Sequence, residues 1–434
     1  MNYFKVFILC TLYLTSIVNA EELTSVDIHS KDDFLSFTQS MPEDKKWYNV
    51  NLFTDLDLSG VWESPVGLQQ DGNCTPFSGE FHGNNHTING LVMNSYESET
   101  FKDAGLFCSI GNAFVEHLVI GETCNFTGST AGILSVWTSG NLTVHNVVNK
   151  GSVNGMKNTG GFIGYCSINS GVVIFEDCIN EGELRPNYTN GGGFIGSFSS
   201  CQDSSLLMKR CTNAGSLSCK NVDGGRMGGI IGATNGNINT EFVLEKVVNN
   251  GLVNSGVYDT SGMIGSVIGN NHFNLTVRDS INNGDVELPP LKYGAGGFFG
   301  FFSENNNTVL VVDNCVNNGD VLSHYSYTGG FTGSIQKNIN TTVTFSQCTN
   351  NGNITVDGDH TAQYTGGFSG RVDGSNNLFL LCDGCTNNGN IRNKASSLGG
   401  IIGELSTGND LGMWVTLNNC TNNGNILGTL AQCG

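Results

Sequence analysis

The sequence predicts an all-β protein, a parallel β-solenoid of about ten coils of about 33 residues, each carrying three short strands. Three observations predict it. A Gly-apolar-x-small motif recurs with its first Gly at 105, 132, 161, 193, 229, 262, 297, 330, 367 and 400. An Asn-x-Gly motif alternates strictly with it, with the Asn at Asn149, Asn180, Asn213, Asn249, Asn282, Asn317, Asn350, Asn387 and Asn422. The residues around the two motifs fall into columns of one chemical type, while the loops between them vary. Composition agrees. With 60 Gly, 6 Pro and 13% charged residues the chain is too apolar for disorder, and its regular Gly spacing argues against unrelated domains.

The columns are aligned on the Asn. Two residues before it stand Val147, Cys178, Cys211, Val247, Ser280, Cys315, Cys348, Cys385 and Cys420. Five before it come Val144, Phe175 and Met208, seven before it Leu142, Val173 and Leu206, and the series continue in every coil. Four after it come Val153, Leu184, Leu217 and their successors. Strand residues two apart share a face, so these are inward columns. The odd step of three before the Cys column predicts a bend or bulge. The Asn-x-Gly is a corner, where Gly is expected to supply a positive φ and the stacked Asn to pass amide hydrogen bonds between coils.

The Gly-apolar strand supplies one more inward column: Leu106, Ile133, Phe162, Phe194, Ile230 and so on. The residue after it is also apolar in most coils: Ile163, Ile195, Ile231, Ile264 and Phe299 form the clearest run. Alternation places these five outside, where they make either an interface stripe for self-association or a partner, or a second core covered by the loops or by a bend in the strand.

Fifteen Cys invite a disulfide reading. In the Cys column, however, Cys interchanges with Val and Ser, as a space-filling thiol does; a vertical disulfide between coils is the alternative. Cys74, Cys108, Cys124, Cys166, Cys201, Cys219 and Cys433 lie off the column and suit disulfides better.

The N-terminal region departs from the repeat. Ser30-Lys-Asp-Asp33 reads as a helix N-cap with an acidic third position, and Phe34, Phe37 and Met41 share one helical face. A short helix here caps the solenoid. Residues 1–20 read as a signal peptide: Lys5, an apolar run from Val6 to Val18, then a small-residue cleavage site at Ala20. The expected division is thus 1–20 signal peptide, 21–103 N-terminal cap and entry strands, and 104–434 repeats. No later run is long enough to span a membrane, so no transmembrane segment is expected in the mature chain. Sequons at Asn73, Asn85, Asn125, Asn141, Asn187, Asn274, Asn306, Asn340, Asn353 and Asn419 are glycosylation candidates. The net charge of −19 disfavours nucleic acid as a partner.

The N-terminal run D-x-D-L-S-G-x-W, then F-x-G-x-F-x-G-x-x-H-T-I and G-L-F, together with Gly161-Phe162-Ile163-Gly164 and its seven in-register successors, resembles GLUG-motif proteins. That resemblance covers nearly the whole mature chain. It implies right-handed β-helical segments of exported surface proteins, often adhesin-like or attached to secreted peptidases. The Cys and Asn columns depart from the family pattern.

Chemical motifs are sparse. No H-E-x-x-H exists, and no Gly-Lys-[ST] follows the Gly-rich strings. His82 and His86 have the spacing of a metal pair but sit in the recurrent leader strand and turn. Asp55 and Asp57 read as structural, and Asp357 and Asp359 as a polar turn beside His360. The charged column Glu176, Lys209, Glu245, Arg278, Asp313 alternates in sign, as a register device does. No catalytic, cofactor or metal site is therefore expected. The reading is a secreted or surface-displayed structural or binding protein with an unknown protein or glycan ligand and no cofactor. A polysaccharide lyase or hydrolase is the alternative, and a mechanical spacer of a coat or wall the third.

Overall fold

A computed structural model describes residues 24–41, 47–61, 64–69, 71–95, 102–219, 225–256, 258–288, 294–324, 327–358, 363–394, 397–406 and 412–428. The signal segment, Cys433, Asp359 and His360 lie outside the described residues. The chain winds as a right-handed parallel β-solenoid of about 11 turns, with one short helix among the described residues. Its strands stack into four sheets of 22, 12, 11 and 9 strands, all pairing in parallel from coil to coil. At ~4.8 Å per coil the stack is roughly 50 Å long.

Each repeat coil is cut into five strand segments rather than three. One coil shows them all: Asn158–Gly160, Ile163–Cys166, Val172–Glu176, Ile179–Asn180 and Leu184–Pro186. The second and third segments both belong to the 22-stranded sheet, where Phe107–Glu116 is still a single strand pairing with both Ser135–Thr138 and Leu142–His145. Two backbone devices make the extra breaks. At the Gly-apolar corner, successive amides donate to one carbonyl of the next coil: Phe162 N and Ile163 N both reach Phe194 O, at 2.9 and 3.0 Å. The same double donation recurs for Phe194/Ile195 and Phe298/Phe299. It acts as a bulge and resets the in–out alternation. Before the Cys column, the expected bend is a left-handed residue: Asp177, Arg210, Lys246, Asp279, Asn314 and Gln347 have φ between 50° and 55°, and Gly384 follows at 63°.

The corner glycines do something other than expected. Gly182, Gly215, Gly251 and Gly284 are not in the left-handed region. They are glycine because a Cβ would lie about 2 Å from the carbonyl oxygen of the equivalent Gly one coil away. Gly193 and Gly229, which open the Gly-apolar motif, are excluded from growing by Asn213 and Asn249 respectively, whose Cγ atoms would lie 2.5 and 2.4 Å from a new Cβ. The two sequence motifs, half a coil apart along the chain, therefore pack against each other across the interior.

One large core cluster runs along the tube, with a small separate one at Val286, Leu288, Ala295 and Val321. Phe298, Phe331 and Phe368 stack with centroids 4.7 Å apart, the coil spacing itself, and Phe345 meets the stack edge-on. At the N-terminal end, the helix α1 (Lys31–Ser40) has a reciprocal cap: Ser30 Oγ accepts from Asp33 N, and Asp33 Oδ2 accepts from His29 N and Ser30 Oγ. Its Phe34, Phe37 and Met41 are buried. The ladder of the 22-stranded sheet runs on through Thr24–Ile28, Tyr48–Leu52 and Phe77–His82 into Phe107–Glu116, so it crosses residue 104 unbroken.

Candidate functional site

Of the expected site residues, the corner asparagines are the most regular. Each side-chain amide donates to the Oδ1 of the next, from Asn149 through to Asn422, at 2.6–2.8 Å. From Asn180 on, each also donates to the carbonyl of the Gly two residues later. Asn149 to Asn387 are fully buried. A second buried ladder escaped the sequence reading: Asn237, Asn270, Asn305 and Asn338 pass amide bonds at 2.9–3.1 Å, and Ser375 accepts from Asn338 N. Its signal was present, since these Asn recur at the coil period just before the strands that carry Phe242 and Leu275.

Of the two readings of the apolar stripe, the structure corrects the interface and bears out burial. Ile163, Ile195, Ile231, Ile264 and Phe299 are all 0% exposed and belong to the core. The double-donating corner breaks the strict alternation on which an outward reading depends, so two consecutive residues face inward. No interface is available there.

The Cys column is free thiol throughout, buried except for the half-buried Cys420. Each sulfur donates to the carbonyl two residues back, as Cys315 does to Asp313 at 3.2 Å. Burial pushes the Cys178, Cys348 and Cys420 thiols up, Cys178 well above the usual range, which keeps these three protonated. Of the off-column cysteines, Cys74 and Cys108 form a disulfide with Cα atoms 5.6 Å apart; Cys124, Cys166 and Cys201 are free thiols, and Cys219 is buried.

His82 and His86 do not converge. His82 lies between Glu116 and Glu80, while His86 Nδ1 contacts Asp55 at 3.1 Å. Asp55 also accepts from Thr87 N, and Asp57 accepts from Ser59; these bonds hold both carboxyls below the usual range. Asp357 pairs with His324. The charged column stacks in register, with Glu245 paired to Arg278 at 2.8 Å. No sequon Asn is buried: Asn73, Asn85, Asn125, Asn274, Asn340, Asn353 and Asn419 are exposed, and Asn141, Asn187 and Asn306 half-buried.

What remains on the outside is a polar lattice. One residue past the buried Asn, the exposed Asn250, Asn283, Asn318, Asn351, Asn388 and Asn423 form a ladder of 2.8–2.9 Å bonds. Two residues further, Asp285, Asp320, Asn353, Asn390 and Asn425 form a second row, in which each of the first four accepts from the backbone N–H of the next. Beside it lies a shallow groove of about 230 Å³ lined by Asp285, Glu287, Asp320, Asn353 and Thr355. A larger cleft of about 500 Å³ is lined by Arg226, Tyr258, Asp259, Phe301 and Glu304. Burial pushes the Asp259 carboxyl up to about 7, against the opposing pull of Arg226, whose Nε is 3.6 Å away. No helix among the described residues is long and apolar enough to cross a membrane.

No family model matches the chain. It is 31% identical to halomucin of Haloquadratum walsbyi over 130 residues, which is 28% of this chain but 1% of halomucin. Among solved structures it is similar to a protein assigned as an immunoglobulin A1 protease from Bacteroides ovatus, with 11% identity, TM-score 0.39, and 68% and 77% of the two chains covered. It is also similar to a family 28 exopolygalacturonase from Yersinia enterocolitica, with 9% identity, TM-score 0.24, and 94% and 78% covered. These likenesses are too distant to carry an argument about activity.

Proposed function

We propose that this chain is a secreted or cell-surface β-solenoid of GLUG type with a structural and binding, adhesin-like role, and that its exposed Asn/Asp rows contact a glycan or protein ligand. The carrying observation is the pair of outward rows beside the groove at Asp285 and Asp320. Amide donors and carboxylate acceptors repeated at the coil spacing suit a polymer with many hydroxyls, and each contact is weak while the row multiplies it. The inward columns persist through every coil, with none of the local disruption that an inserted catalytic site brings. Export is expected through residues 1–20, and N-terminal sequencing of secreted protein should begin at Glu21.

Glycan-array binding tests the role. The triple variant Asn318→Ala, Asn351→Ala, Asn388→Ala should keep the circular-dichroism spectrum and lose binding. Unchanged binding with an intact fold removes the rows from the ligand face. The enzyme reading rests on Asp259, a buried carboxyl titrating near neutrality on a cleft that also holds Glu304. Release of new polysaccharide ends by the wild type, abolished in Asp259→Asn, would establish that reading instead.

A further inference from the structure

We propose that Glu116, His117 and His145 form a binding site for a divalent transition-metal ion of the zinc class, on the outer face of the 22-stranded sheet. Coil stacking makes the site. His82, Glu116 and His145 are register partners in three successive coils, so their side chains stand in one vertical row. His117 follows Glu116 at the bend, where a φ of 51° turns the chain beside the row.

The geometry converges on one oxygen. Glu116 Oε2 is 3.2 Å from His117 Nδ1 and 3.8 Å from His145 Nδ1, and the three residues offer ligand atoms all within 4.8 Å of one another. An ion held tetrahedrally at ~2.0–2.2 Å from each ligand keeps the ligands roughly 3.3–3.6 Å apart. The observed separations straddle that range. A hydrogen-bond network accounts for them less well, because 3.8 Å is beyond hydrogen-bond reach. The two imidazole planes are inclined at 80°, with centroids 5.4 Å apart, so they present two nitrogens rather than stacking.

The surroundings hold these ligands in place. The other oxygen of Glu116 contacts His82 Nδ1 at 2.7 Å, and His82 Nε2 meets Glu80 at 3.0 Å. The far nitrogen of His145 lies 3.8 Å from Asp177 Oδ2. Arg210 grips both oxygens of Asp177 at 2.7 Å and holds its carboxyl below the usual range. At 3.8 Å Asp177 makes no hydrogen bond to His145 and places only negative charge beyond the ring. Two imidazoles and one carboxylate suit Zn²⁺ and its neighbours rather than Ca²⁺ or Mg²⁺, which favour oxygen alone. All three ligands are half-buried, so an ion can reach them and a fourth coordination position faces outward.

The test is calorimetric titration of ZnCl₂ into tag-free, metal-stripped full chain near neutral pH, with CaCl₂ and MgCl₂ as separate arms. One Zn²⁺ per chain at micromolar affinity or tighter is expected, with no response to the other two ions. His117→Ala and His145→Ala should each weaken binding by about tenfold or more, with His324→Ala unchanged. Should the variants misfold, mass-spectrometric mapping of diethylpyrocarbonate labelling on the wild type decides: Zn²⁺ should protect His117 and His145. Absence of Zn²⁺ binding, equal binding by folded His117→Ala and His145→Ala proteins, or no protection of these two histidines each overturns the proposal.

Discussion

At the residue scale the same amide does different work according to where it stands. Asn282 is fully buried and bonds both to Asn317 and to Gly284, whereas Asn318 is exposed and has water as an alternative to Asn283. Asn282→Ala removes one rung and leaves buried donors and acceptors unpaired, so it should cost about 1–3 kcal/mol. Asn318→Ala should stay within about 0.5 kcal/mol. Urea unfolding of the two variants checks the contrast, and equal losses would contradict it. Asp259 is the residue-scale test of pH. Its folded carboxyl, raised to about 7, holds a proton that the unfolded chain has already lost above about 4. The native state then binds more protons through that window, so stability falls as pH rises through it, by at most ~1.4 kcal/mol per unit. Asp259→Asn should remove that fall, visible as urea midpoints that no longer drop between about pH 4 and pH 7.

At the scale of elements, the breaks matter as much as the strands. The bend before the Cys column needs a left-handed residue in every coil, and at φ 63° Gly384 is the one glycine that the repeat places there. A β-branched residue is strained in that region, so Gly384→Val should cost about 1–2 kcal/mol. The helix cap is a second such element: Ser30→Ala breaks the reciprocal bonds with Asp33 and should cost about 1 kcal/mol. Thermal melts measure both. The bend was legible as an odd spacing of three between columns, and the cap as Ser30 with Asp33. The corner at Phe162 and Ile163 was not, because sequence alternation carries no mark of two amides sharing one carbonyl. That omission is why the sequence left Ile195 and Ile231 open between an outward stripe and a buried core, and the corner settles them in the core.

At the scale of the molecule, stability is shared between neighbouring coils. Removing residues 249–281 joins Val248 to Asn282 and deletes one period, which leaves Asn213 facing Asn282 in register. Such a protein should fold with a nearly unchanged circular-dichroism spectrum, because repeat arrays lose one unit and one interface at a time. Removing residues 249–253 alone puts every later column out of register and should abolish folding. The covalent state is also a property of the stack. Mass spectrometry of unreduced, alkylated protein should find Cys74 joined to Cys108, and Cys178, Cys211, Cys315, Cys348 and Cys385 alkylated only after unfolding.

The period, the inward columns and the corner asparagines were all in the sequence, because a solenoid repeats each local environment and so repeats each residue choice. The helix cap was there for the same local reason. Tertiary structure alone decided which faces the columns oppose. Gly229 is glycine because a Cβ would meet both the Gly262 carbonyl one coil away and Asn249, the latter a contact between motifs half a coil apart. The meeting of His117 with His145, and of Arg226 with Asp259, likewise depends on stacking residues 28 to 33 positions apart: Arg226 and Asp259 are register partners on neighbouring strands, and His117 turns at a bend beside the strand that ends at His145. Local chemistry sets the coil; the outward constellations exist only where one coil lies on the next.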